Sequence, residues 1–538
     1  MSSFPLPPLK RAKVAVLGLG VTGIVSVKNF VEIGFDVTGF ERNDYVGGLW
    51  QYNEDPTQTT VLKTTVSNGS KQFSPIKISH TPKVESPAYA PADQVNEYIQ
   101  SYVRHFNLEK HFRLGTDLLS VSLASSQDSP VSQWAIKFRE GNEERTEIFD
   151  RVLVGTGPHT QVWMPRIAGM SEFEGRLLHS QAYKGPESFR GKRVVVVGSS
   201  NTSGDVAVEL AGVAKKVWLS HRNGGRIMKR LDPPVDHSLT RRRFILGSLF
   251  NAAFPKLAHY VSSKLLDKMF LRTWPEYDPS WRFIPAPPVA NAPGVMNDYL
   301  ISLMKDGQIT NLSGIASFTK TSVVTVDHGD IECDAVILCT GMKFDYSILS
   351  PEADPSSYPT PEWDSHPHSQ GLAYPRLYRT LFHTNHPESL AFIGPYRGVT
   401  FAGFSSSDLA SQAIAQVWAD RFPLPDKAAM TKWCDENYAF SLAQIAPHRV
   451  PRVGCDPISF EKWLNEAAGN GVNEHFGWGW TGWAFWWKDR KFYGILMNGV
   501  NSPFMYRLWE GRKGSRKVFE NAREEIYKAN GIASGSLK

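Results

Sequence analysis

Cysteine is scarce in this chain. Its 538 residues include only Cys333, Cys339, Cys434 and Cys455, and no two of them stand as C-x-x-C. That rules out a disulfide-built scaffold and argues against a zinc knuckle or a dithiol redox centre. A reduced, cytoplasmic setting is the expectation. Long apolar runs are missing too. No segment offers the roughly 18 consecutive apolar residues of a membrane span, and the first residues, Met1-Ser-Ser-Phe-Pro-Leu-Pro-Pro, lack the apolar core of a secretory leader. Nor does charge of one sign build up. The formal net charge is +6, and basic residues are scattered apart from Arg241, Arg242 and Arg243. A nucleic-acid partner needs a concentrated basic face, so none is expected. No solenoid-type repeat is present.

What is there describes a globular protein, with 41% apolar and 21% charged residues. The length exceeds what one hydrophobic core supports, so two or more domains are expected. Two glycine loops organise them. The first, Gly18-Leu19-Gly20-Val21-Thr22-Gly23, follows an apolar strand from Lys13 to Leu17 and opens a segment of helical spacing from Thr22 to Ile33. Gly18 permits a tight turn, Gly20 lets the backbone approach a pyrophosphate, and Gly23 lets helix and strand pack closely. The helix N-terminus favours the anion. A second strand, Phe35 to Phe40, ends in Glu41, an acid placed to bind ribose hydroxyls. Gly47-Gly48-Leu49-Trp50 follows closely.

The second loop, Gly198-Ser-Ser-Asn201-Thr202-Ser203-Gly204, follows a Val-rich strand from Arg193 to Val197. Ser200 and Ser203 stand where the second and third glycines of the fingerprint would be. A serine side chain can still bond phosphate, and Asp205 continues into a helix reaching about Val213. The next strand, Val217 to Leu219, leads to Ser220 and Arg222. An acid there would select the free 2′-hydroxyl of NAD, whereas Arg222 suits the 2′-phosphate of NADP. Thr156-Gly157 and Thr340-Gly341 each close a buried strand, where glycine permits a sharp corner. Two dinucleotide sites in one chain imply electrons passing between dinucleotides. The parse is α/β: two Rossmann-like domains, one inserted into the other. Residues 1–170 form the first part of one domain. Residues 171–333 form the inserted domain, with a helical insertion at about 224–291. Residues 334–450 return to the first domain, and 451–538 form a divergent C-terminal extension.

Between the loops lies Phe173-Glu-Gly175-Arg-Leu-Leu-His179-Ser-Gln-Ala-Tyr183. Together with the two loops, its F-x-G-x-x-x-H-x-x-x-Y spacing resembles the fingerprint of class B flavin-containing monooxygenases, of the dimethylaniline monooxygenase-like, fungal type. The ordered motifs run from Lys13 to about Asp345. The resemblance implies FAD on the first loop, with Glu41 on the ribose and Gly48, Leu49 and Trp50 along the cofactor. It implies NADPH on the second, held by Gly198, Asn201, Thr202, Ser203, Gly204, Asp205, Ser220 and Arg222. Thr340 and Gly341 would mark a crossing between the two domains, with Met342 where a Tyr is usual. Asn68, in Val66-Ser-Asn68-Gly-Ser70-Lys71, would sit beside the flavin as the catalytic residue. The chemistry implied is NADPH- and O2-dependent transfer of one oxygen atom to a nitrogen or sulfur of a small organic substrate, through a C4a-hydroperoxyflavin.

Two alternatives stay open: a Baeyer–Villiger monooxygenase, whose relatives carry Trp where this chain has Tyr183, and a non-catalytic FAD-binding module. His179 invites a general-base role, but the resemblance favours linker geometry. Trp478, Trp480, Trp483, Trp486 and Trp487 crowd one segment, as a satellite cluster docking the C-terminus or as the wall of a substrate pocket. The helical stretch from about Arg241 to Leu271 fits burial between domains or peripheral contact with a membrane surface.

Overall fold

Two short apolar strands, Lys13–Leu17 and Arg193–Val197, each sit at the heart of a sheet and pair parallel with both neighbours. The computed structural model describes residues 12–61, 89–124, 132–230, 240–287, 294–369, 371–394, 403–445, 454–511 and 519–532. Asn68 lies outside the described residues. The first sheet has seven strands, in the order Leu377–Tyr378, Phe382–His383, Leu390–Phe392, Arg151–Val154, Lys13–Leu17, Asp36–Phe40 and Phe112–Arg113. Val14 to Leu17 are fully buried, as a strand covered on both faces requires. One face carries the helix Val21–Ile33 and, beyond it, the helix Gly403–Trp418. Gly34 stops the first of these helices at φ +109, and its N–H reaches back to Phe30 and Val31. The other face is covered by an antiparallel sheet of Thr116–Leu123, Trp134–Glu140 and Glu143–Phe149, with the Phe138 ring 5.3 Å from that of Phe40.

The second sheet is wholly parallel, in the order Ile309–Leu312, Lys216–Ser220, Arg193–Val197, Ala335–Leu338 and Arg176–His179. The helix Asn201–Leu210 packs on one side of it. This arrangement corrects one boundary. Ala335–Leu338 falls in the part assigned from sequence to the returning first domain (334–450), yet it pairs with Arg193–Val197 in the second sheet. A buried run of Ala, Val, Ile and Leu reads alike in either parallel sheet, so sequence could not decide between them. The return comes just after, where Met342–Lys343 pairs antiparallel with Gln161–Val162.

The C-terminal extension is not separate at its start. The helix Pro457–Ala468 packs on Gly403–Trp418 and contributes Trp463 and Leu464 to the first domain's core. A satellite core follows, built from Phe492, Leu496, Phe504 and Ile526. The helical insertion forms Arg241–Ala253 and Pro255–Thr273. It is rooted at its far end by buried Phe270 and Trp274, by a Trp274 Nε1 hydrogen bond to the Ile227 carbonyl (2.9 Å) and by the Arg226–Asp267 ion pair (2.8 Å).

One buried base makes stability depend on pH. The His383 ring is stacked on His386 with centroids 5.4 Å apart, and among the described residues neither of its nitrogens has a hydrogen-bond partner. Burial, and then the neighbouring His386, push its pKa down to about 3. The unfolded chain therefore takes up this proton more readily than the folded one. The stabilisation from a neutral His383 is full above the ordinary histidine pKa and is lost as pH falls from there toward 3, by up to about 1.4 kcal/mol per pH unit. The loss of thermal stability between pH 7 and pH 5 should accordingly be smaller in His383→Gln than in the unsubstituted protein. Equal losses would deny His383 this role.

Candidate functional site

The first loop is shaped by what its glycines avoid. Gly18 has φ +90 and accepts no side chain without strain, and a Cβ on Gly23 would land 1.7 Å from the Gly18 carbonyl oxygen. Gly20 caps the helix Val21–Ile33 with no side chain over its first N–H groups. Gly48 crosses directly beside it, where a Cβ would lie 3.1 Å from the Gly20 Cα. Glu41 is buried and already held. Leu19 N–H donates to its Oε2 at 2.9 Å, and the Asn43 amide nitrogen and Nδ2 donate to Oε1 at 3.2 and 3.0 Å. Trp50 packs edge-on against Phe404 with centroids 5.6 Å apart. Gly18, Gly20, Val21, Thr22, Glu41, Gly48, Leu49 and Trp50 all line one cavity. Leu19 and Gly23 stand behind it, as backbone donor and packing contact.

The second loop opens into the same cavity through Gly198, Asn201, Thr202, Asp205, Ser220 and Arg222. Its departures from the glycine pattern have a structural reading. Ser203 Oγ accepts from the Ser200 N–H at 3.0 Å and donates to the Ser200 carbonyl at 2.7 Å, which caps its own helix. Ser203 is buried, so it does not present a hydroxyl to phosphate as the sequence reading had it. Ser220 Oγ is likewise committed to the Ser313 carbonyl at 2.7 Å. Asn201 Oδ1 accepts from Met296 N–H at 2.8 Å, and Asp205 Oδ1 accepts from Asn297 Nδ2 at 3.1 Å. Gly204 leaves room for that asparagine, since a Cβ there would lie 3.4 Å from Asn297 Nδ2. The loop's polar side chains therefore fix its shape, while the start of the helix Asn201–Leu210 and exposed Thr202 face the opening.

Arg222 extends from the end of the Lys216–Ser220 strand, and its stem lies over Gly314. A Cβ on Gly314 would sit 2.4 Å from the Arg222 Cγ. Sequence reasoning missed Gly314, Asn297 and Gly48's approach to Gly20, because each acts across a gap in sequence that no motif spans; it also missed Asn43, two residues from Glu41, because an asparagine in a loop carries no pattern.

The seam between the sheets is hydrogen-bonded. Thr340 Oγ1 donates to the Trp163 carbonyl at 2.6 Å, and Trp163 N–H donates to the Gly341 carbonyl at 3.1 Å. His179 Nδ1 accepts from Gln181 N–H at 3.1 Å, so the proton rests on Nε2, which donates to the Gly341 carbonyl at 2.9 Å. Burial lowers the His179 pKa, which keeps the ring neutral. Its placement is that of a strut between strand end and crossing, as the linker reading expects. Tyr183 donates to Glu209 Oε2 at 3.2 Å and stacks on Phe189. Phe173 folds its ring over Gly175, where a Cβ would come within 2.4 Å of it. Lys184 Nζ donates to the Gln58 carbonyl at 2.7 Å, and Gln181 Nε2 donates to Thr59 Oγ1 at 3.1 Å, tying the fingerprint to the first domain. The five tryptophans from Trp478 to Trp487 are absent from the cavity lining, so they form no substrate wall there.

The shared cavity measures about 2000 Å³, well above the ~300–1,000 Å³ of a single small-molecule site. Two nucleotide loops on separate sheets, opening on one space, define an oxidoreductase that works with two dinucleotides. Comparison with known proteins makes this specific. Residues 11–356 match the family described as flavin-binding monooxygenase-like. The chain is 37% identical to the monooxygenase aurF of Gibberella zeae over 522 residues, 96% of this chain and 97% of that one. It is 34% identical to human dimethylaniline monooxygenase [N-oxide-forming] 4 over 348 residues, 63% of this chain and 60% of that protein. The solved complex of OTEMO with FAD and NADP shares the fold, with a TM-score of 0.62 at 20% identity, over 85% of this chain and 98% of that one. The chain belongs to the flavin-binding monooxygenase-like family. It is an NADPH-dependent flavin monooxygenase whose cofactors are FAD and NADPH.

The Arg222–Gly314 contact gives a direct test of cofactor selection. Arg222→Ala should remove a charge-assisted phosphate contact worth ~1.5–3 kcal/mol and raise the KM for NADPH roughly tenfold or more, with NADH use nearly unchanged. Gly314→Ala should displace the Arg222 stem and move the NADPH KM several-fold in the same direction, and the double variant should add little to Arg222→Ala alone. Equal losses for both nucleotides, or additive losses in the double variant, would remove Arg222 from this role.

Proposed function

We propose that this enzyme transfers one oxygen atom from O2 to a nitrogen or sulfur lone pair of a small organic substrate, with FAD on the first loop and NADPH on the second. The observation that carries the FAD placement is the bare backbone at the first loop. At Gly20 and Gly48 two main chains lie so close that a side chain on either would fill the gap, leaving N–H groups to meet a pyrophosphate. Glu41, held by Leu19 and Asn43, fits the flavin-side ribose, and Arg222 fits the 2′-phosphate of NADPH. FAD bound there would supply hydride acceptance and oxygen activation, while the protein supplies position and dryness. His179 and the Thr340–Gly341 corner hold the two sheets in register so that both cofactors share one cavity. Asn68, outside the described residues, is assigned the post-reduction step. Asn68→Ala should still allow NADPH to reduce the flavin while product falls and hydrogen peroxide rises.

The choice of nitrogen or sulfur over a ketone rests on Tyr183, bonded to Glu209 where Baeyer–Villiger relatives carry Trp, and on the N-oxide-forming human relative. Offered a tertiary amine, a thioether and a ketone of matched size, the enzyme should form N-oxide or sulfoxide as its main product. Ester or lactone as the dominant product, with amine and thioether untouched, would overturn this reading in favour of the Baeyer–Villiger one.

A further inference from the structure

The nucleotide cavity leaves one large surface unused. On the insertion helices Arg241–Ala253 and Pro255–Thr273 and at Phe254 between them, the side chains of Leu246, Leu249, Phe254, Leu257, Tyr260 and Leu265 are each more than half exposed. In the C-terminal extension, Trp478 and Trp480 are 89% and 86% exposed, and Trp483 and Trp487 are also open. Among the described residues, thirteen of the twenty exposed large apolar side chains fall in these two segments. Singly scattered exposed apolar groups need no explanation, but a concentration of this kind marks an interaction surface.

The two segments adjoin. The helix Arg490–Asn498, which follows the Trp-rich helix Trp480–Lys488, packs against Arg241–Ala253. Arg241 locks the junction, with its guanidinium over the Phe476 ring at 4.5 Å and 3.5 Å from Glu461. The charge around the apolar groups has one sign. Residues 241–273 contain seven Lys and Arg, six of them besides the Glu461-paired Arg241, against a single acid, Asp267, and that acid is neutralised by Arg226. Lys488, Arg490 and Lys491 flank the tryptophans, and the intervening Asp489 is paired with Arg523. Arg490 itself lies over the rings of Trp486 and Trp487 at 4.3 and 4.5 Å.

Exposed apolar side chains, tryptophans and cations on adjoining segments match the three layers of a bilayer surface: acyl chains, the headgroup boundary where indole rings settle, and anionic phosphates. Among the described residues, no helix is long and apolar enough to cross a membrane. We propose that the insertion helices and the Trp-rich helix together form a monotopic docking face that seats this enzyme on an anionic lipid bilayer. The face is built from folded helices distant in sequence, so it forms only in the folded protein and does not need a spanning tail.

The test uses the FAD-loaded full chain and flotation with lipid vesicles. The protein should float with phosphatidylserine-rich vesicles, bind phosphatidylcholine vesicles far less, and be released as salt is raised, because charge attraction is screened beyond about 10 Å at 0.1 M. Leu249→Glu with Leu257→Glu, and separately Trp480→Ser with Trp487→Ser, should each lower the bound fraction about tenfold or more. Both pairs lie away from the cavity, so flavin content and NADPH consumption in solution should be unchanged, which separates loss of docking from loss of folding. A protein that floats with neither vesicle, or variants that float as well as the parent, would overturn the proposal. So would a dimer in sedimentation equilibrium that the same substitutions split, since the face would then belong to a second copy.

Discussion

A side chain on Gly23 would collide with the Gly18 carbonyl oxygen at 1.7 Å, and the geometry of the first site follows from that missing atom. Only with glycine there can the helix Val21–Ile33 begin so close to the end of the Lys13–Leu17 strand. That closeness puts the helix N-terminus at the mouth of the sheet, where Gly48 passes beside Gly20 and Leu19 N–H fixes Glu41. Nothing in this chain of consequences needs a side chain that reacts. The protein's part is to bare its backbone at chosen points and to hold charges of chosen sign nearby.

The second site reaches the same end by different means. With serine at the third glycine position, the helix Asn201–Leu210 is closed by a reciprocal Ser200–Ser203 cap, and Asn201 and Asp205 are spent on Met296 and Asn297. Arg222, proposed to meet the 2′-phosphate, stands further out, with its stem resting on the bare face of Gly314. The two sites are useful only if they face each other. That alignment rests on a few bonds at the seam: Thr340 and Gly341 to Trp163, and neutral His179 to Gly341.

Much of this is legible in the sequence. Gly18, Gly20 and Gly23 announce themselves because a strand, a turn and a helix must meet within six residues, and local geometry leaves a local signature. The inserted topology was also legible, from two such signatures in order. Four things were not. Ala335–Leu338 is an apolar strand that would suit either sheet, so its membership was set by tertiary pairing alone. Ser203 looked like a phosphate ligand because a hydroxyl's partner cannot be read from its type. Gly314 and Asn297 act on residues about ninety positions away, and a lone glycine or asparagine in a loop carries no pattern. The tryptophans between Trp478 and Trp487 were read as a packed cluster or a pocket wall, yet four of them are largely exposed, since burial depends on neighbours that composition does not name.

The central claim is that the two loops bring two dinucleotides into one cavity, so that reduced nicotinamide passes its electrons straight to the flavin. Anaerobic titration of the yellow, FAD-loaded protein with NADPH tests this most directly. The account predicts that the flavin absorbance bleaches with one equivalent of NADPH per FAD and no added mediator. A flavin that stays oxidised under NADPH, while dithionite still bleaches it, would contradict the account and leave only a protein that binds FAD.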